Sequence, residues 1–395
     1  MRVSMEKALF AARFFLASKT FTDDETMVAR KRDSQASLNA DPEIVHDLQG
    51  ARLFYEFRVH GGDGDVIGSI RCAADSSVGS PVIGYMMTPL DHEISQRARA
   101  VFEADHPRAS DIKTRLTCYC FPKIAVDVSG HIDGQNKTVF YDAYTLEQIA
   151  DDPNLDALTL SKKEGFALKS YQDSVREGSD AEAFFDDGLN DMKSVVSVAS
   201  LEPQAPATMG AFATKKIRDF EAAEYEYLSK FFRENPPAIR SLVLPVPLFG
   251  QETKDYCAMA SAQMIFAYMG INMTQTQIAD LMNHGPGGAD PADQLRGYAK
   301  VFAGRLDVLY DRDPTWGEAV AALDRSIPFK SAVGLHARIC RGWKRFDYLE
   351  PVTKRLLMSE NYLLINDPNP VAKGQTYWEA MKIHIYRNAV TFAPQ

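Results

Sequence analysis

The stretch GQETKDYCAMASAQMIFAYMG, residues 250–270, sets a lone cysteine, Cys257, at the head of an almost wholly apolar segment, six positions after Gln251. The apolar run ends at Gly270, a natural C-terminal cap, so a buried helix is expected with Cys257 at its start. A thiol attacks only as thiolate, and its ordinary pKa of about 8.5 leaves a few per cent ionised at neutral pH. A helix N-terminus favours the anion through its unpaired N–H groups and partial positive charge. An imidazolium beside the sulfur would favour it further, and the same ring could protonate a leaving amine. The side-chain amide of Gln251, with the Cys257 backbone N–H, suits the oxyanion of a tetrahedral intermediate.

Three histidines follow Cys257. His284 sits in the turn NHGPGG and reads as a solvated loop residue. His384, between Ile383 and Ile385, reads as a strand residue. His336 opens the strand-like run LHARICRGW behind Ser331, Ala332 and Gly334, whose small side chains leave space around it, and it is the candidate base. A catalytic imidazole needs a partner on its second nitrogen. YLLINDPNP, residues 362–370, ends a strand with Asn366 and Asp367 before a proline, where an acid can reach a histidine on the neighbouring strand. Asp-Pro pairs also serve simply as turn formers. The ordered set Gln251, Cys257, His336, Asp367 says more than any member alone.

The rest of this region is clearly punctuated. Thr274 and Gln277 have capping-box spacing. DPADQLRGYAKVF and DPTWGEAVAALDR each open with Asp-Pro, predicting Asp290 and Asp313 as N-caps with proline at the first helical position. Beyond Pro328 the character changes to strands: KSAVGLHARICRGW, YLLIND and KIHIYR.

Upstream, residues 1–150 read as a smaller α+β unit. A first helix carries Ala8, Leu9, Ala12, Phe15 and Leu16 at helical spacing. Two strands in RLFYEFRVHGGDGDVIGSIRCA flank a glycine-rich turn, SPVIGYMM gives a third, and TRLTCYCFPKIAVDVSG and KTVFYDAYT form a pair around GHIDGQN. Residues 151–245 read as a helical and linker region. LSKKEGFALKSYQDSVREGSDAEAFFDDG suggests one or two charged helices, SLEPQAPATMGAF is the linker candidate, and KKIRDFEAAEYEYLSKFFREN is an amphipathic helix ending before Pro236.

Composition bounds the function. The chain has 395 residues, 45% hydrophobic and 25% charged, long enough for two or three domains. A net charge of −9 disfavours nucleic-acid and anionic-membrane partners. No apolar run is long enough to span a bilayer, and the basic residues within the first 21 positions do not read as a signal peptide, so a cytoplasmic protein is expected. Five cysteines (72, 118, 120, 257 and 340) do not form a disulfide framework or a zinc spacing, and no cofactor or metal is implied.

These motifs resemble those of the papain-like cysteine peptidases, and more closely the branch related to the bacteriocin-processing, double-glycine leader peptidases. VPLFGQETKDYCAMASAQMIFAYMG is similar to that branch's opening, TQTQIADLM to the short helix that follows, GLHARICRGW to its His motif and LLINDPNP to its Asp motif. The resemblance implies Cys257 as nucleophile, His336 as general acid/base, Asp367 as its orienting residue and Gln251 as oxyanion donor. It also implies an α+β fold with a papain-like two-lobed peptidase domain over residues 246–395. Two departures stand out: Ala258 follows the nucleophile where the family often has an aromatic, and KRFDYLEPVTKRLLMSEN lengthens the connection between His336 and Asp367. AARFFLAS, DLQGARLFYEFRV and SPVIGYM resemble a streptopain-type inhibitory prosegment, which implies a region that blocks the cleft until cut or displaced.

The expected function is a cysteine peptidase acting on a peptide or protein through a Cys257 thioester, with the oligomeric state open. Two alternatives stand beside it: another Cys-His-Asp acyl-transfer enzyme, amidase or transglutaminase-like, and a catalytically silent binding protein that keeps the fold.

Overall fold

A computed structural model of the chain describes residues 1–20, 36–149, 180–200, 217–285, 288–333, 336–383 and 387–394. The fold is mixed α+β. Helix α1 (Met5–Thr20) comes first, and Ala8, Leu9, Ala12, Phe15 and Leu16 are all buried, as their spacing predicts. Strands β1 (Ser37–Leu38) and β2 (Glu43–His46) follow, then β3 (Arg52–His60) and β4 (Val66–Ala73), the hairpin expected around the glycine-rich turn. After β5 (Val82–Met86) and helix α2 (Ile94–Asp105) come β6 (Ser110–Cys120), β7 (Lys123–Ile132), β8 (Gln135–Asp142) and β9 (Gln148–Ile149). TRLTCYCFPKIAVDVSG is thus two strands, because Pro122 has no N–H to continue a ladder and the chain reverses there.

In the middle region α3 (Ala181–Ser200) and α4 (Ile217–Glu234) are helical, α4 ending before Pro236 as expected. The first part of LSKKEGFALKS… and nearly all of the linker candidate lie outside the described residues. The region also holds a strand, β10 (Ala238–Val243), paired with β13 below.

The C-terminal part begins with α5 (Cys257–Tyr268), α6 (Gln275–Leu281), α7 (Pro291–Phe302), β11 (Leu306–Asp311) and α8 (Trp316–Asp324). Thr274 and Gln277 form the predicted capping box, and Asp290 caps α7 with Pro291 behind it. At α8 the expectation fails: Thr315, not Asp313, is the N-cap, because Thr315 and Glu318 satisfy each other's backbone N–H groups in a second capping box.

Strands β12 (Phe329–Val333), β13 (His336–Leu349), β14 (Leu356–Asp367), β15 (Gln375–Ala380) and β16 (Arg387–Pro394) complete the fold. KSAVGLHARICRGW is therefore a hairpin with Val333 opposite His336, not one strand. KIHIYR is described only at its ends, and His384 lies outside the described residues.

All these strands join one sheet. Its main path runs β11-β16-β12-β13-β14-β15-β5-β4-β3-β2-β6-β7-β8-β9, with β1 on β3 and β10 on β13. The C-terminal strands thus continue into those of residues 1–150 through the β15–β5 pairing, Tyr377 opposite Met86, Trp378 opposite Tyr85 and Glu379 opposite Gly84. One core lies between α5–α8 and β12–β16. A second joins α1 and strands β2–β8 to Phe346, Tyr348, Met358 and Tyr362 of the β13–β14 hairpin. The lengthened connection after His336 is the outer half of this hairpin and forms the joint with α1. Ile339 lies opposite Asn366 in the inner half, and the register shifts by one residue between Cys340 and Gly342 before the outer half.

Candidate active site

Three chain segments meet at Cys257. The first is the helix it opens: Cys257 is the first residue of α5, and Tyr256 before it supplies no capping side chain, which leaves the helix's positive end at the thiol. The second is β13, whose first residue is His336. The third is the end of β14, where Asp367 is fully buried. His336 Nε2 lies 2.6 Å from Asp367 Oδ1, with His336 itself 1% exposed. This bond commits Nε2 to the acid and leaves Nδ1, which has no hydrogen-bond partner of its own, for the thiol.

The electrostatics separate this thiol from Cys72 and Cys118. Burial pushes the Cys72 and Cys118 thiols well up, which keeps them inert. Burial pushes on Cys257 too, but the neighbouring His336 ring with its positive charge, the charge of Lys123 and the Ala337 backbone outweigh it and lower its pKa to about 7. Asp367 is held below the usual carboxylate range. Desolvation opposes this, and the His336 charge and hydrogen bond, the Arg338 charge and the Asn369 N–H prevail.

Gln251 is fully buried, and its backbone is tied to the turn after Asp367: its N–H donates to Pro368 O at 2.9 Å and its carbonyl accepts from Ala372 N at 2.8 Å. A side chain at position 250 would meet the backbone of Ala372 and Lys373 within 2.4 Å, so only glycine lets the segments approach. Gln251 Nε2 donates to Thr253 O at 2.9 Å, which spends one of its two N–H groups. The structure thus brings Cys257, His336 and Asp367 together and seats Gln251 against the same turn.

Several supporting residues carry no local sequence signal. Gln275, the first residue of α6, clamps the Gln251 loop by donating to Gly250 O and accepting from Glu252 N, both at 2.9 Å. Tyr377 donates to Asp367 Oδ2 at 3.1 Å and accepts from Arg338, which forks onto Glu379. From residues 1–150, Lys123 acts on Cys257, and the carboxylate of Asp367 helps to raise the pKa of Tyr144. Lys330, also buried, is pushed down to about 8 by desolvation, against which the Cys257 charge acts. His284 corrects the solvated-loop expectation: its Nε2 lies 3.1 Å from Asp255 Oδ2 and its ring packs edge-on against Tyr256, so it is mostly buried beside the residues preceding the thiol.

Residues 243–391 match the Peptidase_C39 like family. Over these residues the chain is a cysteine peptidase. A solved structure similar to this peptidase is the peptidase domain of Streptococcus ComA, a bifunctional ABC transporter of a quorum-sensing pathway. It is 17% identical, covers 38% of this chain and 99% of its own, and has a TM-score of 0.27. No curated protein matches the chain.

Proposed function

We propose that the peptidase hydrolyses peptide bonds of a peptide or protein through a thioester on Cys257. The observation that carries this reading is a thiol lowered to about 7 at a helix N-terminus, beside a histidine whose other nitrogen is bonded to a buried aspartate. The thiolate attacks the scissile carbonyl, and the oxyanion takes hydrogen bonds from Gln251 Nε2 and the Cys257 N–H. His336, as imidazolium, gives its proton to the departing amine and leaves a thioester. The neutral ring then takes a proton from water, hydroxide adds to the thioester carbonyl, and collapse releases the acid and returns the thiol. Asp367 stays ionised throughout and holds the ring in place.

The streptopain likeness adds a finer expectation, inhibition by residues 1–150. What supports a role for that region at the site is the charge influence linking Lys123 to Cys257 and Asp367 to Tyr144. The role we assign to it follows below.

A peptide library with an added primary amine tests the reading. Cleavage at defined bonds with water as acceptor supports a peptidase, capture of the acyl group by the amine favours a transferase, and no turnover by a protein whose thiol still reacts favours a silent binding role.

A further inference from the structure

A prosegment that must leave needs an interface that can part. Strand β5 of residues 1–150 instead hydrogen-bonds into the peptidase sheet beside β15, and Met86 at its end belongs to the peptidase core with Leu363, Ile365 and Tyr377. The approach is as close as backbones allow: a side-chain carbon at position 84 would lie 2.1 Å from the Trp378 carbonyl oxygen. Across this contact stands Tyr377, buried and paired with Met86, whose hydroxyl holds Asp367. The next inward residue on β15, Glu379, sits opposite Gly84 and receives the two-pronged Arg338 that also donates to Tyr377. The chain of contacts runs from β5 through β15 to Asp367 and His336. On the far side α1 seals the joint, with Phe14 against Tyr348 and Phe15 against both Tyr85 and Tyr362.

We propose that β5 is a permanent strand of the catalytic sheet and that it sets Tyr377 as the positioning residue of Asp367. Residues 1–150 then belong to the working enzyme. This inference rests on the peptidase reading and assigns the N-terminal region its part in that site. Without β5, β15 becomes a free edge, Tyr377 loses its cross-strand support, and the carboxylate that fixes the imidazole loses a donor.

The test uses the full chain and reads the pH profile of Cys257 alkylation by iodoacetamide together with kcat and KM on a cleaved peptide. In Tyr377→Phe the alkylation midpoint moves above its position near pH 7, and kcat falls about tenfold or more with KM little changed, the expected size for a hydrogen bond to a charged group. Gly84→Ala forces β5 away from β15 and shifts both readouts the same way. A Gly84→Ala chain with no cooperative unfolding transition supports the proposal too, since a removable cover would leave the peptidase part folded. An unchanged profile and kcat in Tyr377→Phe, or a rise in activity in Gly84→Ala, overturns it. Slow alkylation of Cys257 in the unaltered chain sinks the peptidase reading instead, so the two failures are distinct.

Discussion

His336 and Asp367 meet across the ends of two neighbouring strands, their side chains 2.6 Å apart and both shut away from solvent. Because β13 begins where its partner β14 ends, the antiparallel pair, shifted in register between Cys340 and Gly342, carries both side chains to one rim of the sheet. Asp367→Ala should lower kcat by roughly 10³-fold while KM changes little, since the acid fixes the ring and does not touch the substrate. Acid titration of the unaltered chain reads the same contact. The folded carboxyl lies below its ordinary 3.8, so its stabilising share is complete above that value and fades as pH falls through the lower folded one. Asp367→Ala should flatten this part of the unfolding profile.

The oxyanion role proposed for Gln251 separates binding of the oxyanion from activation of the thiol. Gln251→Ala should cost about 10²- to 10³-fold in kcat, the usual loss for one oxyanion donor. Alkylation of Cys257, which forms no oxyanion, should keep its rate and pH midpoint. Equal loss in both assays would place Gln251 in the scaffold alone.

Lys123 acts on the thiol from the first 150 residues. Lys123→Met should raise the alkylation midpoint above about 7, more at low salt than at high, and Lys123→Arg should restore it. No shift at any ionic strength would remove Lys123 from the site.

Lys19 marks the joint between the two halves. It is buried at the end of α1, donating to Tyr348 at 2.6 Å and to Glu360 at 2.5 Å and lying 3.6 Å over the Phe346 ring. Desolvation outweighs Glu360 and lowers its pKa from 10.5 to about 8. Between those values the unfolded chain holds more protons than the folded one, so stability rises with pH across that window, by up to roughly 3 kcal/mol. Lys19→Met should remove this rise in denaturant midpoints measured from pH 8 to 10.

Local chemistry was legible in the sequence. The helix behind Cys257, the Thr274–Gln277 capping box and the Asp290–Pro291 start rest on neighbours a few residues apart, and each forms as its spacing dictates. His336 and Asp367 were readable as strand ends for the same reason. What depends on distant partners was not. The Ser, Ala and Val residues before His336 look like a continuation of its strand, because both strands are buried and no polar break parts them in the sequence. Two helix-start signals competed within three residues at Asp313 and Thr315, and the reciprocal box won. His284 sits on a polar turn, yet Tyr256 and Asp255 draw it inward. Most of all, VIGYM announces a buried strand without naming its neighbour, so the β5–β15 seam was invisible.

Site-resolved alkylation of all five cysteines, followed from pH 5 to 9 in the unaltered chain and in His336→Ala, tests the reactive thiolate most directly. Cys257 should label first, with a midpoint near pH 7, and in His336→Ala that midpoint should move above the ordinary thiol value, because burial then acts with its chief opponent gone. Uniformly slow labelling of every cysteine, or a Cys257 profile indifferent to His336, would contradict it.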